Sequence, residues 1–144
     1  MRSEGKRKSS SAQAVPLVDM AATKEAVDSA LEHGQVIDIT TTGRESGQPR
    51  RLEIVFHNVA GRIYISGIPS TKRRSWIANL DSDPHMTFHL KGKVRADLPA
   101  TARIIDEEKE RRAILPHVAR NWGRKDLEQM VHYSPLIEVT IAPQ

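Results

Sequence analysis

The segment Val36–Phe56, V-I-D-I-T-T-T-G-R-E-S-G-Q-P-R-R-L-E-I-V-F, determines the expected fold. Its two ends, Val36–Thr41 and Arg51–Phe56, are rich in the β-branched and aromatic residues that favour strands. Two glycines and a proline lie between these ends, a composition typical of the connection in a hairpin. We therefore predict a pair of antiparallel strands joined by the loop around Gly43–Arg50.

Further strands are predicted on the C-terminal side of this hairpin. They are rich in β-forming residues or alternate between apolar and polar side chains. The candidates are Arg62–Ile65, Met86–Leu90, Val94–Ile105 and Leu136–Ile141. Pro99 lies inside the third candidate and predicts that its middle is an edge or a bulge, because proline has no N–H to donate.

Three stretches predict helices, at 20–33, 71–80 and 107–131. The first ends at Gly34, a common residue after a helix C-terminus. Asp106 is expected to cap the third, which we expect to be interrupted near Pro116 and Gly123.

The order of these elements predicts an α+β fold. About six mainly antiparallel strands with three or more short helices favour a barrel-like domain over a doubly wound sheet. A parallel sheet would require a crossover helix between consecutive strands, and several of the predicted strands follow one another directly.

Composition limits the chain to one domain and excludes several site chemistries. At 144 residues there is no room for a second catalytic domain. The absence of cysteine excludes disulfides and thiolate sites and makes a reducing cytoplasm the expected location. No apolar run is long enough for membrane insertion. The Ser-rich, basic opening predicts a flexible tail over residues 1–14, followed by a single domain over 15–144.

Two basic segments are candidates for binding an anion, which agrees with the net charge of +4. Gly43–Arg51 combines glycines, which let backbone amides approach an anion, with Arg44, Arg50 and Arg51. Lys72–Ser75 places three cations at the start of a predicted helix, where an anion would be favourable. A hairpin tip and a solvated basic face are the alternatives. Two such loops could also converge on one phosphate.

Other chemistries find little support in the residue pattern. His85 and His89 are four apart on a predicted strand, which separates them by roughly 13 Å, too far to share a metal ion. The chain has no G-x-S-x-G, Walker or G-x-G-x-x-G motif. Tyr64 and Trp76 suit either the core or ring stacking, and Tyr133 could lie near a pocket mouth.

Thr41–Arg50 (TTGRESGQPR) followed by Trp76–Pro84 (WIANLDSDP) resembles the deazaflavin-dependent nitroreductase and quinone reductase family, which uses coenzyme F420. The resemblance extends over Val36–Val139. It implies a split β-barrel, shared with flavin mononucleotide (FMN) enzymes of the pyridoxamine 5'-phosphate oxidase type. It also implies hydride transfer from reduced F420 to a small electron-poor acceptor such as an enone, quinone or nitroaromatic.

By this resemblance, the coenzyme's phosphate and acidic tail meet the two basic segments, and its ring lies against the intervening strands. The implied coenzyme-binding residues are Gly43, Arg44, Ser46, Gln48, Pro49, Arg50, Arg51, Leu52, Ile54, Ile65, Ser66, Gly67, Lys72, Arg74, Ser75 and Trp76. Ser66, Trp122 and Tyr133 are the candidates for the acceptor side. No catalytic acid or base is identified. Glu45 stands where family members often have lysine, which removes one positive charge from the loop.

Three alternatives remain at this point. An FMN-dependent oxidoreductase would use the same fold, because Thr71 and Lys72 before a helix also suit its phosphate site. A non-catalytic coenzyme-binding protein would have the pocket without an acceptor site. Nucleic-acid binding through the basic tail ranks last and is not expected, and a homodimer is left open.

Overall fold

A computed structural model describes residues 22–143, which form six strands and four helices. The predicted tail over residues 1–14 lies outside the described part of the chain. The elements in chain order are α1 (Lys24–Leu31), β1 (Gln35–Thr42), β2 (Pro49–Val59), β3 (Arg62–Ser66), α2 (Ser75–Ser82), β4 (His85–Lys91), β5 (Arg95–Ile104), α3 (Glu108–Trp122), α4 (Leu127–Tyr133) and β6 (Leu136–Ile141).

The six strands close into one barrel in the order β1-β2-β3-β6-β5-β4, and every neighbouring pair is antiparallel. The predicted α+β fold and hairpin are confirmed, since β1 and β2 pair from Gln35↔Phe56 to Thr42↔Pro49. The hairpin register places Ile37 and Ile39 in the core and leaves Asp38 and Thr40 on the outer face.

Two apolar clusters hold the fold together. The first fills the barrel with inward-facing strand residues and adds Trp76, Ile77 and Leu80 from α2. The second lies outside the barrel wall, where α3 and α4 pack over Tyr64 of β3. Both aromatic residues with an uncertain role, Tyr64 and Trp76, are therefore buried in apolar clusters.

The antiparallel order brings all the candidate coenzyme segments to one end of the barrel. The β1–β2 loop, the end of β3 and the start of β6 lie at this end, because Ser66 pairs with Leu136. The connection from β3 to β4 contains α2, and the connection from β5 to β6 contains α3 and α4. Both connections therefore start and finish at the end of the barrel that carries the glycine loop.

Helix boundaries differ from the sequence prediction in α1, α2 and α3. α1 begins at Lys24, after the Thr23 N-cap, and ends at Leu31, so it is shorter than the predicted 20–33. α2 begins at Ser75 and not at residue 71, because the Ser70 hydroxyl accepts from the Lys72 N–H and turns the preceding chain. α3 continues through Pro116, and its first residue follows Glu107 at the N-cap position, so Asp106 is not the cap. The predicted break at Gly123 is confirmed, and this glycine has the left-handed φ of 68°.

Pro99 is accommodated within a continuous strand. It lies opposite Thr87 of β4, and the register with β6 begins only at the next residue, Ala100. Proline is tolerated here because β5 lacks a β6 residue opposite this position. The Pro99 carbonyl still accepts from the Ala142 N–H at 2.9 Å. The expected edge character is therefore confined to the position of Pro99.

Among residues 22–143, no helix is long and apolar enough to cross a bilayer.

His57 is a buried imidazole with an unmatched nitrogen. Its residue is 3% exposed, and its ring packs edge-on against Trp122 with centroids 5.1 Å apart. Nε2 has no hydrogen-bond partner among the described residues. Burial lowers the pKa of His57 below its ordinary value of 6.5. The folded protein therefore resists a protonation that the unfolded chain accepts.

We predict that His57 makes the protein acid-sensitive. The contribution of His57 to the free energy of unfolding should be constant above pH 6.5. It should fall as the pH drops from 6.5 towards the lower pKa of the folded state. The slope from one such group is at most about 1.4 kcal/mol per pH unit. Urea unfolding at pH 7.5 and 5.5 should show a larger loss for the native chain than for His57→Phe. Equal losses would contradict this assignment.

Candidate functional site

The glycine loop between β1 and β2 is tightly folded. The Gly43 N–H donates to the Gln48 carbonyl at 2.8 Å, and the Gly47 N–H donates to the Gly43 carbonyl at 2.9 Å. Gly47 has φ 69°, which glycine adopts without steric cost. A Cβ on Gly43 would lie 2.6 Å from Ser46 Oγ. The backbone conformation therefore favours glycine at position 47, whereas a side chain at position 43 would displace the Ser46 hydroxyl and crowd the Gln48 carbonyl.

Asn79 of α2 ties the glycine loop to the barrel end. Its Oδ1 accepts from the backbone N–H of Arg44 at 3.1 Å and from Arg44 Nη1 at 3.2 Å. Its Nδ2 donates to Thr41 Oγ1 at 3.2 Å, and both Asn79 and Thr41 are buried. Sequence reasoning missed this residue. The available signal was a polar side chain among the inward-facing apolar residues of a short helix.

A cavity of about 410 Å³, which we call the hairpin cleft, opens between the glycine loop and α2. The residues lining it are Thr41, Gly43, Arg44, Glu45, Ser46, Arg50, Arg51, Leu52, Ser75, Trp76 and Asn79. Ile77 and Ala78 both donate their N–H groups to the Arg74 carbonyl. Among the described residues, the N–H groups of Ser75 and Trp76 have no protein acceptor. They are the free donors expected at a helix start.

The arginines of the hairpin cleft differ in how their charge is compensated. Arg51 Nε lies 2.9 Å from Asp38 Oδ2. Hydrogen bonds from Lys91 and then Arg51 hold the pKa of Asp38 below its ordinary value, so this cluster is already neutralised. Arg44 and Arg50 have no carboxylate partner among residues 22–143. Their exposed guanidinium groups make the cleft suitable for a phosphate or carboxylate.

A second cavity of about 450 Å³ lies on the other side of the α2 start, and we call it the Tyr133 cleft. Its lining includes Lys72, Arg73 and Arg74 as well as Tyr133. Arg73 is paired with Asp81 at 3.2 Å. Arg74 Nη2 donates to the Ile68 carbonyl at 2.7 Å. The charge of Arg74 is thus left without a carboxylate among the described residues.

The cations of the two predicted basic segments line separate clefts that flank the start of α2, whereas Ser75 of the second segment lines the hairpin cleft. Convergence of both loops on one phosphate stays a prediction. The cations are separated because α2 starts late, which leaves residues 70–74 as a loop beside α4. There the Ser70 N–H donates to the Tyr133 carbonyl at 3.0 Å.

The other predicted site residues are distributed around these clefts. Gln48 and Pro49 are exposed at the start of β2, whereas Ile54 is partly buried and Ile65 fully buried in the barrel. Gly67 lies beside Pro135 and Arg74.

The three acceptor candidates are not all brought together. Ser66 is buried and donates its hydroxyl proton to the Pro135 carbonyl at 2.7 Å, and both Pro135 and Tyr133 line the Tyr133 cleft. Trp122 lines a different cavity with His57. The structure therefore associates Ser66 with Tyr133 but does not bring Trp122 to them.

Comparison with known proteins identifies the family. The model of the F420H2-dependent quinone reductase family matches residues 16–141. The chain belongs to this family. It is therefore an F420H2-dependent reductase, and F420 is its coenzyme, as the sequence resemblance implied. No curated protein sequence matches the chain.

Solved structures share the fold at low sequence identity. A conserved hypothetical protein of Mycobacterium tuberculosis superposes with a TM-score of 0.67 at 16% identity, covering 90% of this chain and 87% of its own. An F420 reductase gives 0.61 at 12% identity, with 81% and 93% covered. A Listeria innocua protein named as a pyridoxamine 5'-phosphate oxidase gives 0.55 at 14%, with 83% and 90% covered. These likenesses support the split-barrel fold.

The hairpin cleft fits the anionic part of such a coenzyme. It combines two free amides at a helix start with two arginines that have no carboxylate partner, and this donor set is chemically suited to a phosphodiester. Leu52 and Trp76 add apolar surface beside these donors. Glu45 also lines the cleft and opposes additional negative charge there.

We predict that Asn79 stabilises the glycine loop. Asn79→Ala leaves a buried Thr41 hydroxyl and the Arg44 amide without their partner, which should lower the free energy of unfolding by about 1–3 kcal/mol. Asn121→Ala is the matched control, because Asn121 is exposed on α3. Urea unfolding of both variants measures the difference. A loss no greater for Asn79→Ala than for Asn121→Ala would contradict the prediction.

Proposed function

We propose that the protein transfers a hydride from reduced F420 to a small electron-poor acceptor, namely a quinone, an enone or a nitroaromatic. The proposal rests above all on the hairpin cleft. There the free Ser75 and Trp76 amides lie with Arg44 and Arg50 in one cavity. An anion held by these donors is anchored at the start of α2, directly between the two clefts.

The coenzyme is proposed to extend across the start of α2. Its phosphate would bind in the hairpin cleft, and its ring would lie towards Gly67 and the Tyr133 cleft. Lys72 and Arg74 would then approach it from the second cleft and not beside Arg50. This arrangement retains both basic segments as coenzyme contacts while giving them different parts of the molecule.

The acceptor is proposed to bind in the Tyr133 cleft. Tyr133 is 48% exposed and offers the cleft a phenolic hydroxyl and an aromatic face. Ser66 is buried and donates its hydroxyl proton to the Pro135 carbonyl, so we propose that it supports the Pro135 side of the cleft from behind. Trp122 is left out of this proposal because it lies in the separate His57 cavity.

The chemistry requires orientation more than covalent catalysis. When bound, the reduced coenzyme supplies the hydride. The protein's residues hold the acceptor at reacting distance, limit access of water, and direct cationic groups towards the oxygen where negative charge develops. Lys72 and Arg74 are exposed or half-buried cations of the Tyr133 cleft that have no carboxylate within ion-pair distance among the described residues.

The compartment and assembly remain part of the proposal. A cysteine-free chain suits a reducing environment, and we assign its action to the cytoplasm on that basis. The acceptor is a small molecule, and no nucleic-acid partner is proposed. A homodimer stays a hypothesis that size-exclusion chromatography with light scattering would test.

We predict that Arg44→Ala and Arg50→Ala each weaken binding of oxidised F420 by about tenfold or more, because each removes a charge-assisted hydrogen bond. Both variants should also reduce the dependence of affinity on salt. Fluorescence titration measures the affinity. Arg95→Ala is the matched control, since Arg95 is an exposed barrel arginine outside both clefts.

The same preparation tests turnover. Reduced F420 should be consumed when menadione, an enone or a nitroaromatic is added. Binding without turnover across this panel would reject the acceptor proposal in favour of a coenzyme-binding protein. A purified protein that retains FMN and does not bind F420 would overturn the proposed use of the hairpin cleft.

A further inference from the structure

Arg111 is a buried cation that no carboxylate neutralises. It lies in the first half of α3 and is 8% exposed. Among the described residues, no carboxylate lies within ion-pair distance of it. Burial lowers the pKa of its guanidinium, an effect that Asp106 opposes. Arginine nevertheless stays charged at neutral pH, so the fold accepts a substantial desolvation cost at this position.

The guanidinium of Arg111 donates to four backbone carbonyls. Nε donates to Val131 at 2.7 Å, Nη1 to Ile105 at 2.8 Å, and Nη2 to Met130 at 3.0 Å. Nη2 also donates to the Ser134 carbonyl. One side chain therefore connects the end of β5 with the end of α4. Only a planar group with several fixed donors can satisfy carbonyls in these different directions.

Three of the four carbonyls that Arg111 binds belong to the corner between α4 and β6. The last carbonyls of a helix lack partners within that helix and carry partial negative charge. Arg111 satisfies the Val131 carbonyl and adds a second donor to the Met130 carbonyl, which already accepts from the Ser134 N–H at 3.0 Å. It fixes the next turn through the Ser134 carbonyl. This corner, residues 130–135, contains Tyr133, which is assigned to the acceptor side.

Hydrogen bonds connect the corner to the loop before α2 and to the end of β3. The Tyr133 carbonyl accepts from the Ser70 N–H, which fixes the loop that carries Lys72 and Arg74. The Pro135 carbonyl accepts from the Ser66 hydroxyl at the end of β3. A shift of the corner would therefore move Tyr133, the basic loop and the Ser66 hydroxyl together.

We infer that Arg111 is a positioning residue for the acceptor, which it orients indirectly by fixing the Tyr133–Pro135 corner and, through it, the Ser66 hydroxyl. The role rests on the proposed function, because it concerns the cleft assigned to the acceptor. In this role, Arg111 would not touch the reacting atoms. The hairpin cleft does not include Arg111, so the coenzyme phosphate should be unaffected.

Arg112 supplies a matched control on the same helix. It also connects α3 to α4, through hydrogen bonds to Glu128 at 2.7 and 3.0 Å, and it pairs with Glu108 at 2.8 Å. These are exposed ion pairs, which contribute little to stability. Arg112→Met therefore also removes a side-chain connection between α3 and α4, but it leaves the carbonyls of residues 130–134 with their partners.

The test compares Arg111→Met, Arg111→Lys and Arg112→Met. Arg111→Met should raise the acceptor KM by about tenfold or more, since small misplacements of an active-site group can cost roughly a hundredfold. The F420 dissociation constant should rise by less than the acceptor KM does, because the hairpin cleft loses no contact and only Lys72 and Arg74 move with the loop. Arg111→Lys keeps the charge but cannot span the carbonyls, so it should restore the KM only in part. Arg112→Met should leave the acceptor KM and the coenzyme affinity unchanged.

Hydrogen exchange provides a readout that needs no coenzyme. In the coenzyme-free protein, the Ser70 and Ser134 amides should exchange faster in Arg111→Met than in Arg112→Met. Arg111→Lys should show a smaller increase.

Unchanged exchange at both amides would overturn the inference even if no acceptor is turned over. A decrease in coenzyme affinity as large as the increase in acceptor KM would also overturn it, because it would indicate a general structural role. Failure of the unmodified protein to oxidise reduced F420 would count separately, against the proposed function. If Arg111→Met does not fold, Arg111→Lys is decisive in the same measurements.

Discussion

The hydrogen bonds of the Asn79 side chain are the interaction on which the candidate site depends. One buried amide joins the end of β1, through Thr41, to the backbone of the glycine loop, through Arg44. It thereby fixes α2 relative to the β1–β2 hairpin. Ser75 and Trp76, whose amides have no protein acceptor among the described residues, line the hairpin cleft because α2 lies in this position. A single polar side chain thus couples the position of α2 to the geometry of a candidate anion site.

Much of the fold followed from local pattern. The β-rich ends of Val36–Phe56 and the glycines between them specified the hairpin, and consecutive strands without crossover helices specified an antiparallel arrangement. Pairing of the glycine loop with the basic segment near Trp76 also indicated the coenzyme family. These features are encoded in short segments, where residue type and backbone conformation are directly linked.

The features that the sequence did not reveal depend on contacts between distant segments. α2 starts at Ser75 because Ser70 turns the chain and the preceding loop packs on α4, and neither effect is visible in helix propensity. This late start separates Lys72 and Arg74 from Arg50. The roles of Asn79 and Arg111 likewise depend on partners that are distant in the sequence, such as Arg44 for Asn79 and Val131 for Arg111. Trp122 had the right residue type but lies beside His57, in another cavity.

We propose that the coenzyme's phosphate binds in the hairpin cleft, at the start of α2. Amide chemical shifts of the ¹⁵N-labelled protein, recorded while oxidised F420 is added, test it most directly. We expect the largest shifts at the Ser75 and Trp76 amides, with accompanying changes in the Gly43–Arg50 loop. Saturable binding that leaves the Ser75 and Trp76 amides unshifted would contradict it.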